Sequence, residues 1–351
     1  MARKAKPEEV VETDRLDGQP HPRETFDFAG NEEALRRAAR AIRSGRVPQA
    51  WLIAGPPGIG KATLAYRIAR YLLRYGATDR GPEDLSVAAN DPIAMQVAAG
   101  GHPGLLILKR GLNPETRKLM TVLSVNEVRK LTGFFGMTSG AGGWRVAIVD
   151  SADDMNDAAA NALLKALEEP PARAMLMLLA NAPGRLLPTI RSRCQRLDLR
   201  PLSDTDLEKA LAERLPDLDA SDRSSLVRLA GGSLGAALAL AGDEGIALAA
   251  DADRLIDHAA SPDLAATLAL AEKLARLRDG VDDFGDFLLE ILTQRIRARA
   301  ASGAPDLQRW TSLLEKLRGS FNRTGALHME PRQTILSAAR AISTAARGRA
   351  L

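Results

Sequence analysis

Gly55-Pro56-Pro57-Gly58-Ile59-Gly60-Lys61 is a glycine loop set between a short apolar run, Ala50-Trp51-Leu52-Ile53-Ala54, and a helical pattern that begins at Lys61. Glycines in such a loop let backbone N–H groups turn inward onto phosphate oxygens. The N-terminus of the following helix adds positive potential. Lys61 would reach the outer phosphates of a nucleotide. A plain strand-to-helix turn with an exposed lysine is the competing reading, and the flanking strand and helix patterns weigh against it. The loop departs from the usual pattern at one point. The hydroxyl that normally follows the lysine and holds Mg²⁺ is absent, because that residue is Ala62; Thr63 lies about 100° further round the helix axis.

A second candidate is Asp150, which closes the apolar run 145–150 and is suited to hold Mg²⁺ or its water. Ser151 follows it, where a carboxylate would be needed to activate water; a serine hydroxyl is no general base near neutral pH. Asp153 is available, but reads more naturally as a helix-initiating carboxylate. The third candidate is Arg193, in Arg191-Ser192-Arg193-Cys194. An arginine lent across an interface stabilises phosphoryl-transfer charge and is worth roughly 10³–10⁵ in rate. Taken alone, it reads better as a surface arginine in a basic stretch with Arg191 and Arg196.

The elements that must position these groups follow from periodicity. Apolar runs at 50–54, 105–108, 145–150, 175–180 and 196–199 suit buried strands. Helical patterns fit 31–46, with Leu35, Ala38, Ala39 and Ile42 on one face, then 61–75, 124–134 and 156–169. Ser124 is the N-cap of the third, with Glu127 three residues on, and Pro170-Pro171 stops the fourth. This alternation predicts an α/β fold with a parallel sheet. After Pro201 strands cease: helices fit 204–214, 221–230 and 234–241, and the pattern is helical from about 248 to the end. The segment 76–103 has weak periodicity. Residues 1–20 mix charges and proline with few apolar anchors and read as a disordered tail.

Composition narrows the class. With 45% hydrophobic and 26% charged residues the chain is globular, and 4% aromatics with abundant Ala, Leu and Arg favours helix. The net charge of +4 is compatible with a nucleic-acid partner without arguing for one. No apolar run approaches a membrane span, and no signal peptide is recognisable, so a cytoplasmic protein is expected. Cys194 is the one cysteine, and the four histidines lack ligand spacing, so neither a disulfide nor a metal site is expected.

The glycine loop, the run 146–153, Asn161-Ala-Leu-Leu-Lys-Ala-Leu-Glu-Glu-Pro-Pro171 and Leu186-Leu-Pro-Thr-Ile-Arg-Ser-Arg-Cys194 together resemble the AAA+ clamp-loader family. Gly232-Ser-Leu-Gly-Ala-Ala-Leu238 and Arg332-Gln-Thr-Ile-Leu-Ser-Ala-Ala-Arg340 add weaker support. The likeness is good over about 21–245 and holds in outline beyond. It implies a RecA-like AAA+ domain over 21–202, a small helical lid over 203–246 and a C-terminal helical collar over 247–351. It implies that Arg193 acts in trans on ATP bound to an adjacent subunit, and that Asn181 is the polar sensor after the fourth strand. The lid's sensor arginine is replaced by Gly235. Family members usually carry a four-cysteine zinc module where this chain has 76–103, so no zinc is expected there, with Leu85, Ile93, Met95 and Val97 as packing residues.

The leading reading is therefore a non-motor, stator-like subunit of a sliding-clamp loader in DNA replication, an accessory subunit of a DNA polymerase whose own ATPase is weak or absent. The resemblance implies motor subunits and a clamp-binding subunit as partners in a hetero-pentameric ring, with primer-template DNA and the sliding clamp reached through the complex. Whether ATP binds at Lys61 stays open. Two alternatives remain: an active AAA+ motor of the same ring, and a scaffold with a vestigial ATP site. A small-molecule kinase is disfavoured by the long all-helical C-terminus.

Overall fold

Ala50–Ala54 (β1) is buried along its whole length, which its uninterrupted apolar sequence requires. In the computed structural model, which describes residues 19–112, 120–136, 143–169, 171–241, 243–277, 280–327 and 330–348, β1 lies inside a five-stranded parallel sheet. The others are β2 (Leu105–Leu108), β3 (Arg145–Val149), β4 (Ala174–Ala180) and β5 (Gln195–Asp198), in the order β2-β3-β4-β1-β5. β1 pairs with β4 from Ala50↔Leu176 to Ala54↔Ala180, and with β5 from Trp51↔Gln195 to Ala54↔Asp198. Residues 1–18, most of the expected tail, lie outside the described residues.

Alternate residues of each strand feed two separate cores, as a pleated sheet covered on both faces demands. Trp51, Ile53, Val146, Ile148, Met175 and Met177 pack under α1 (Glu32–Arg43), α2 (Lys61–Tyr75) and α3 (Pro92–Ala98). Leu52, Ala147, Val149, Leu176 and Leu178 pack under α4 (Val125–Gly136), α5 (Asp157–Glu168) and the one-turn α6 (Pro188–Arg191). Each fully buried Leu, Ile or Met contributes on the order of 1.5–3 kcal/mol. The cores on the two faces therefore fix the strand order and, with it, the loops at either end.

The expected face of α1 is the one that packs on the core, and one packing expectation, at Met95, is corrected. In α1 the buried positions are Ala34, Ala38, Ala39 and Ile42, and Leu35 is half-buried. Within 76–103, Leu85 and Val97 are fully buried and Ile93 half-buried, but Met95 is 58% exposed. Asp91 caps α3 by accepting from Ile93 N–H, and the helical period then turns Ala94 and Val97 inward and Met95 out. Arginines hold this segment to α2. Arg67 pairs with Asp84 at 2.6 Å and also donates to the Asp84 carbonyl, and Arg74 pairs with Asp91 at 2.6 Å. Arg70, fully buried, donates to the carbonyls of Arg23 and Thr25 and lies over the Phe26 ring. Burial, then the neighbouring Arg67 charge, lowers its pKa to about 10.

The chain divides into two compact units: Met1–Ala210 with Ser233–Gly235, and Leu211–Gly232 with Ala236–Leu351. Helix α7 (Asp204–Arg214) runs from one into the other, followed by α8 (Ala220–Ala230), α9 (Leu234–Leu240), α10 (Asp243–Asp257), α11 (Leu264–Arg276), α12 (Gly280–Ala301), α13 (Leu307–Leu327) and α14 (Pro331–Ala346). Among the described residues no strand follows Asp198. In the second unit α12 packs on α10 and α13, and α11 on α14. Gly285 lets α12 approach Phe321 of α13 so closely that a Cβ would lie 2.6 Å from that ring.

Candidate functional site

The glycine loop joins β1 to α2 at the carboxyl end of the sheet. Gly60 has φ +97°, a left-handed conformation that glycine adopts without steric cost, and it delivers the chain into α2 at Lys61. Lys61 is buried, and its Nζ donates to the carbonyls of Gly55 at 2.9 Å and Pro56 at 2.7 Å and to Asn181 Oδ1 at 2.7 Å. The loop and the expected sensor residue therefore meet at the lysine ammonium. Ala62 and Thr63 are half-buried in the first turn of α2.

Asn181 is fixed in turn by a residue that periodicity did not mark as part of the site. Asp153 is buried in a 3-10 turn, Ala152–Asp154, and its carboxylate accepts from Asn181 N–H at 3.2 Å and Ala182 N–H at 2.8 Å. It ties the end of β3 to the end of β4 and is engaged there, which removes it as a candidate base. Its signal in the sequence is only its place, three residues after the carboxylate that ends a strand. Asp150 donates its backbone N–H to the Leu108 carbonyl at the end of β2, so it too lies at the carboxyl end of the sheet. Ser151 has φ 59° and ψ 58°. A non-glycine residue in this left-handed region costs about 1–2 kcal/mol. Burial, then the nearby Asp153 charge, raises the Asp154 carboxyl above its usual range against the pull of Arg110 at 3.3 Å.

A second contact to the loop was not foreseen. Ser233 Oγ donates to the Pro57 carbonyl at 3.0 Å, and Gly235 N–H donates to the Gly58 carbonyl at 2.8 Å. Both residues belong to the first compact unit. A Cβ at position 235 would stand 2.6 Å from Gly58 Cα. Glycine here is thus what permits backbone-to-backbone contact, and a longer side chain would have to push the two segments apart. Contacts spanning some 176 residues of sequence leave no local pattern to read.

Arg193 lies elsewhere. It comes two residues before Gln195, which pairs with Trp51 at the opposite, amino end of β1. From the level of Trp51 to Gly55 is four strand steps, about 13 Å. Parallel pairing therefore holds Arg193 away from its own glycine loop. Its guanidinium donates to the Thr189 carbonyl at 3.1 Å and meets Glu168 at 3.2 Å, with both side chains of the ion pair well exposed, 40% and 53%. Burial pushes the neighbouring Cys194 thiol up to about 11, so it is no thiolate at neutral pH.

A parallel sheet in the order β2-β3-β4-β1-β5, with the glycine loop after β1 and Asn181 after β4, defines a protein of the AAA+ fold. A family described as "DNA polymerase III, delta subunit" matches residues 30–203. DNA polymerase III subunit delta' of Pseudomonas aeruginosa is 39% identical over 185 residues, 52% of this chain and 53% of that protein. The Escherichia coli delta' subunit is 36% identical over 206 residues, 59% of this chain and 58% of that protein. A gamma-subunit-related protein of DNA polymerase III from Thermotoga maritima, known as a crystal structure, is 20% identical with a TM-score of 0.38 and covers 90% of this chain and 99% of its own. Over residues 30–203 the chain matches the DNA polymerase III delta family, and these relatives support a delta-prime type of clamp-loader subunit. It spans somewhat over half the length of the first two relatives, through alignments that cover a similar share of itself.

Proposed function

We propose that this protein is a non-motor subunit of the DNA polymerase III clamp loader, and that Arg193 completes the ATP site of a neighbouring motor subunit. The observation that carries the reading is the position of Arg193 at the end of the sheet opposite its own phosphate loop, exposed and held by one surface ion pair. An arginine so placed cannot serve its own nucleotide and is free to serve another's. Surface ion pairs are worth about 0–1 kcal/mol, so exchanging Glu168 for a phosphate costs little.

The loop residues fit a nucleotide in part. The Gly58, Gly60 and Lys61 backbone and the Lys61 ammonium are the groups that would hold phosphates, with Asn181 beside them. Hydrolysis by this chain is disfavoured by Ala62, which has no metal-binding hydroxyl, by Ser151 at the position of the catalytic carboxylate, and by Gly235 in place of a sensor arginine. A working motor is the second reading, and these three positions weigh against it. By the same family reasoning the partners are the motor and clamp-binding subunits of a five-membered ring in the cytoplasm, acting on the sliding clamp and primed DNA. The proposed lid spans 203–246 and the collar 247–351. None of the described helices is long and apolar enough to cross a membrane.

The test is ATP turnover of the chain alone, and of the chain with motor subunits, clamp-binding subunit, clamp and primed DNA. The expected result is silence alone and stimulation in the mixture, lost on Arg193→Ala while the complex still assembles. Vigorous turnover by the isolated chain, or full stimulation with Arg193→Ala, overturns the reading.

A further inference from the structure

The second compact unit holds a cavity of about 240 Å³ that no part of the clamp-loader reading uses. One wall is apolar, formed by Ile256, Leu292, Ile296 and the Trp310 indole; Arg295, Arg299 and Arg309 line the rest, with Asp257 beside Arg295. The three arginine side chains stay 35%, 46% and 31% exposed, so the hollow is open to solvent on their side and keeps their charged heads in water.

The charges around them do not balance evenly. Arg295 is matched: it pairs with Asp257 at 2.7 Å and Asp253 at 2.5 Å, and Asp253 also takes Arg228 at 2.9 Å. At the other end two arginines share one carboxylate. Asp306 Oδ2 accepts from Arg299 at 3.2 Å, Arg309 at 3.1 Å and Trp310 Nε1 at 2.8 Å. The Trp310 N–H, then the two guanidiniums, hold Asp306 below the usual carboxylate range, so it is ionised and contributes one negative charge. Among the described residues that meet this carboxylate, one positive charge is left over. Arg299 also lies over the Trp310 ring, 5.3 Å from its centroid, which fixes the plane of its fork. Arg309 Nε is buried with no hydrogen-bond partner, while the Arg309 side chain as a whole lines the cavity.

From these observations we propose that this cavity binds a monoanionic organic carboxylate carrying a small apolar group. The planar guanidinium fork suits the two oxygens of a carboxylate, and the single surplus charge suits one negative charge. Asp257 on the same wall disfavours a dianion such as phosphate. The apolar wall requires a hydrocarbon part, and the volume lies just below the roughly 300–1,000 Å³ typical of drug-sized ligands, so that part is small.

The experiment uses the full chain labelled with 5-fluorotryptophan. Its three tryptophans give three fluorine signals, and Trp310→Phe assigns the one that matters. The probes are 4-methylpentanoate, its uncharged amide, acetate and inorganic phosphate. The expected result is a saturable shift of the Trp310 signal with 4-methylpentanoate, roughly tenfold weaker with the amide and with Arg299→Gln or Arg309→Gln. Acetate, lacking the apolar group, is also weaker, and Arg309→Lys, which keeps charge but loses the fork, falls between. Equal binding of the amide, tighter binding of phosphate than of the carboxylate, or no saturation by any probe on the unaltered chain each overturns the proposal. Because the probes act on the unaltered chain, the test stands even if an arginine variant fails to fold.

Discussion

At the carboxyl end of the sheet, Lys61, Asn181 and Asp153 satisfy one another in a chain of hydrogen bonds, and Ser233 and Gly235 close on the loop from outside. At the amino end Arg193 meets, among the described residues, a backbone carbonyl and an exposed Glu168. The residues that look most like an enzyme are engaged internally, while the one that alone looked like an ordinary surface arginine is available. Motif strength and chemical availability are separate properties. The first is read from spacing; the second requires knowing what each polar group already touches.

This contrast can be attacked at either end. The largest effect is expected at the amino end: if Arg193 acts as proposed, Arg193→Ala should lower turnover at the neighbouring subunit's site by roughly 10³–10⁵. Arg193→Lys should restore only part, because a lysine supplies charge without the planar fork; full rescue in single-turnover assays would mean that charge alone suffices. At the carboxyl end, Asp153→Ala strips the acceptor from the Asn181 and Ala182 N–H groups and should destabilise by about 1–3 kcal/mol, read as a lower denaturant midpoint. An unchanged midpoint would remove Asp153 from the chain of contacts that orients Asn181.

Gly235→Ala comes next. Its Cβ meets backbone, which cannot rotate away as a side chain can, so a cost on the order of 1–2 kcal/mol is expected. The affinity for a fluorescent ATP analogue should change with it; if both stay as before, the 233–235 segment does not govern the loop. The smallest effect belongs to Ser151→Gly. It relieves a left-handed serine and should stabilise by up to about 1 kcal/mol, visible as a small rise in Tm. A fall in Tm would mean that the serine side chain has a stabilising role outweighing its backbone strain.

Much of the fold was legible because buried parallel strands announce themselves as unbroken apolar runs. β1, β2 and α2 fall where periodicity puts them, and β3, β4, α4 and α5 within a residue or two. α3 was not read: it is seven residues long, opens with a proline and lies in a stretch of Gly, Asp and Asn. Its arginine fastenings to α2 join residues 17 apart in sequence, beyond any helical period. The candidate site was legible as a parts list. Its assembly was not, because Asp153 to Asn181 and Ser233 to Pro57 are long-range bonds, and because the place of Arg193 depends on which strand lies beside β1. Strand order is decided by two cores packing at once, and no window of sequence contains both.

Parallel strands give the sheet two unlike ends, and that bears on symmetry. A two-fold pair brings identical patches together, so it would set loop against loop or arginine against arginine. A subunit whose arginine end meets a neighbour's loop end makes a head-to-tail contact instead. Contacts of that kind carry a direction and close only by going round, so under the proposed role, with Arg193 and Gly55 at opposite ends of β1, the chain would have a leading and a trailing face.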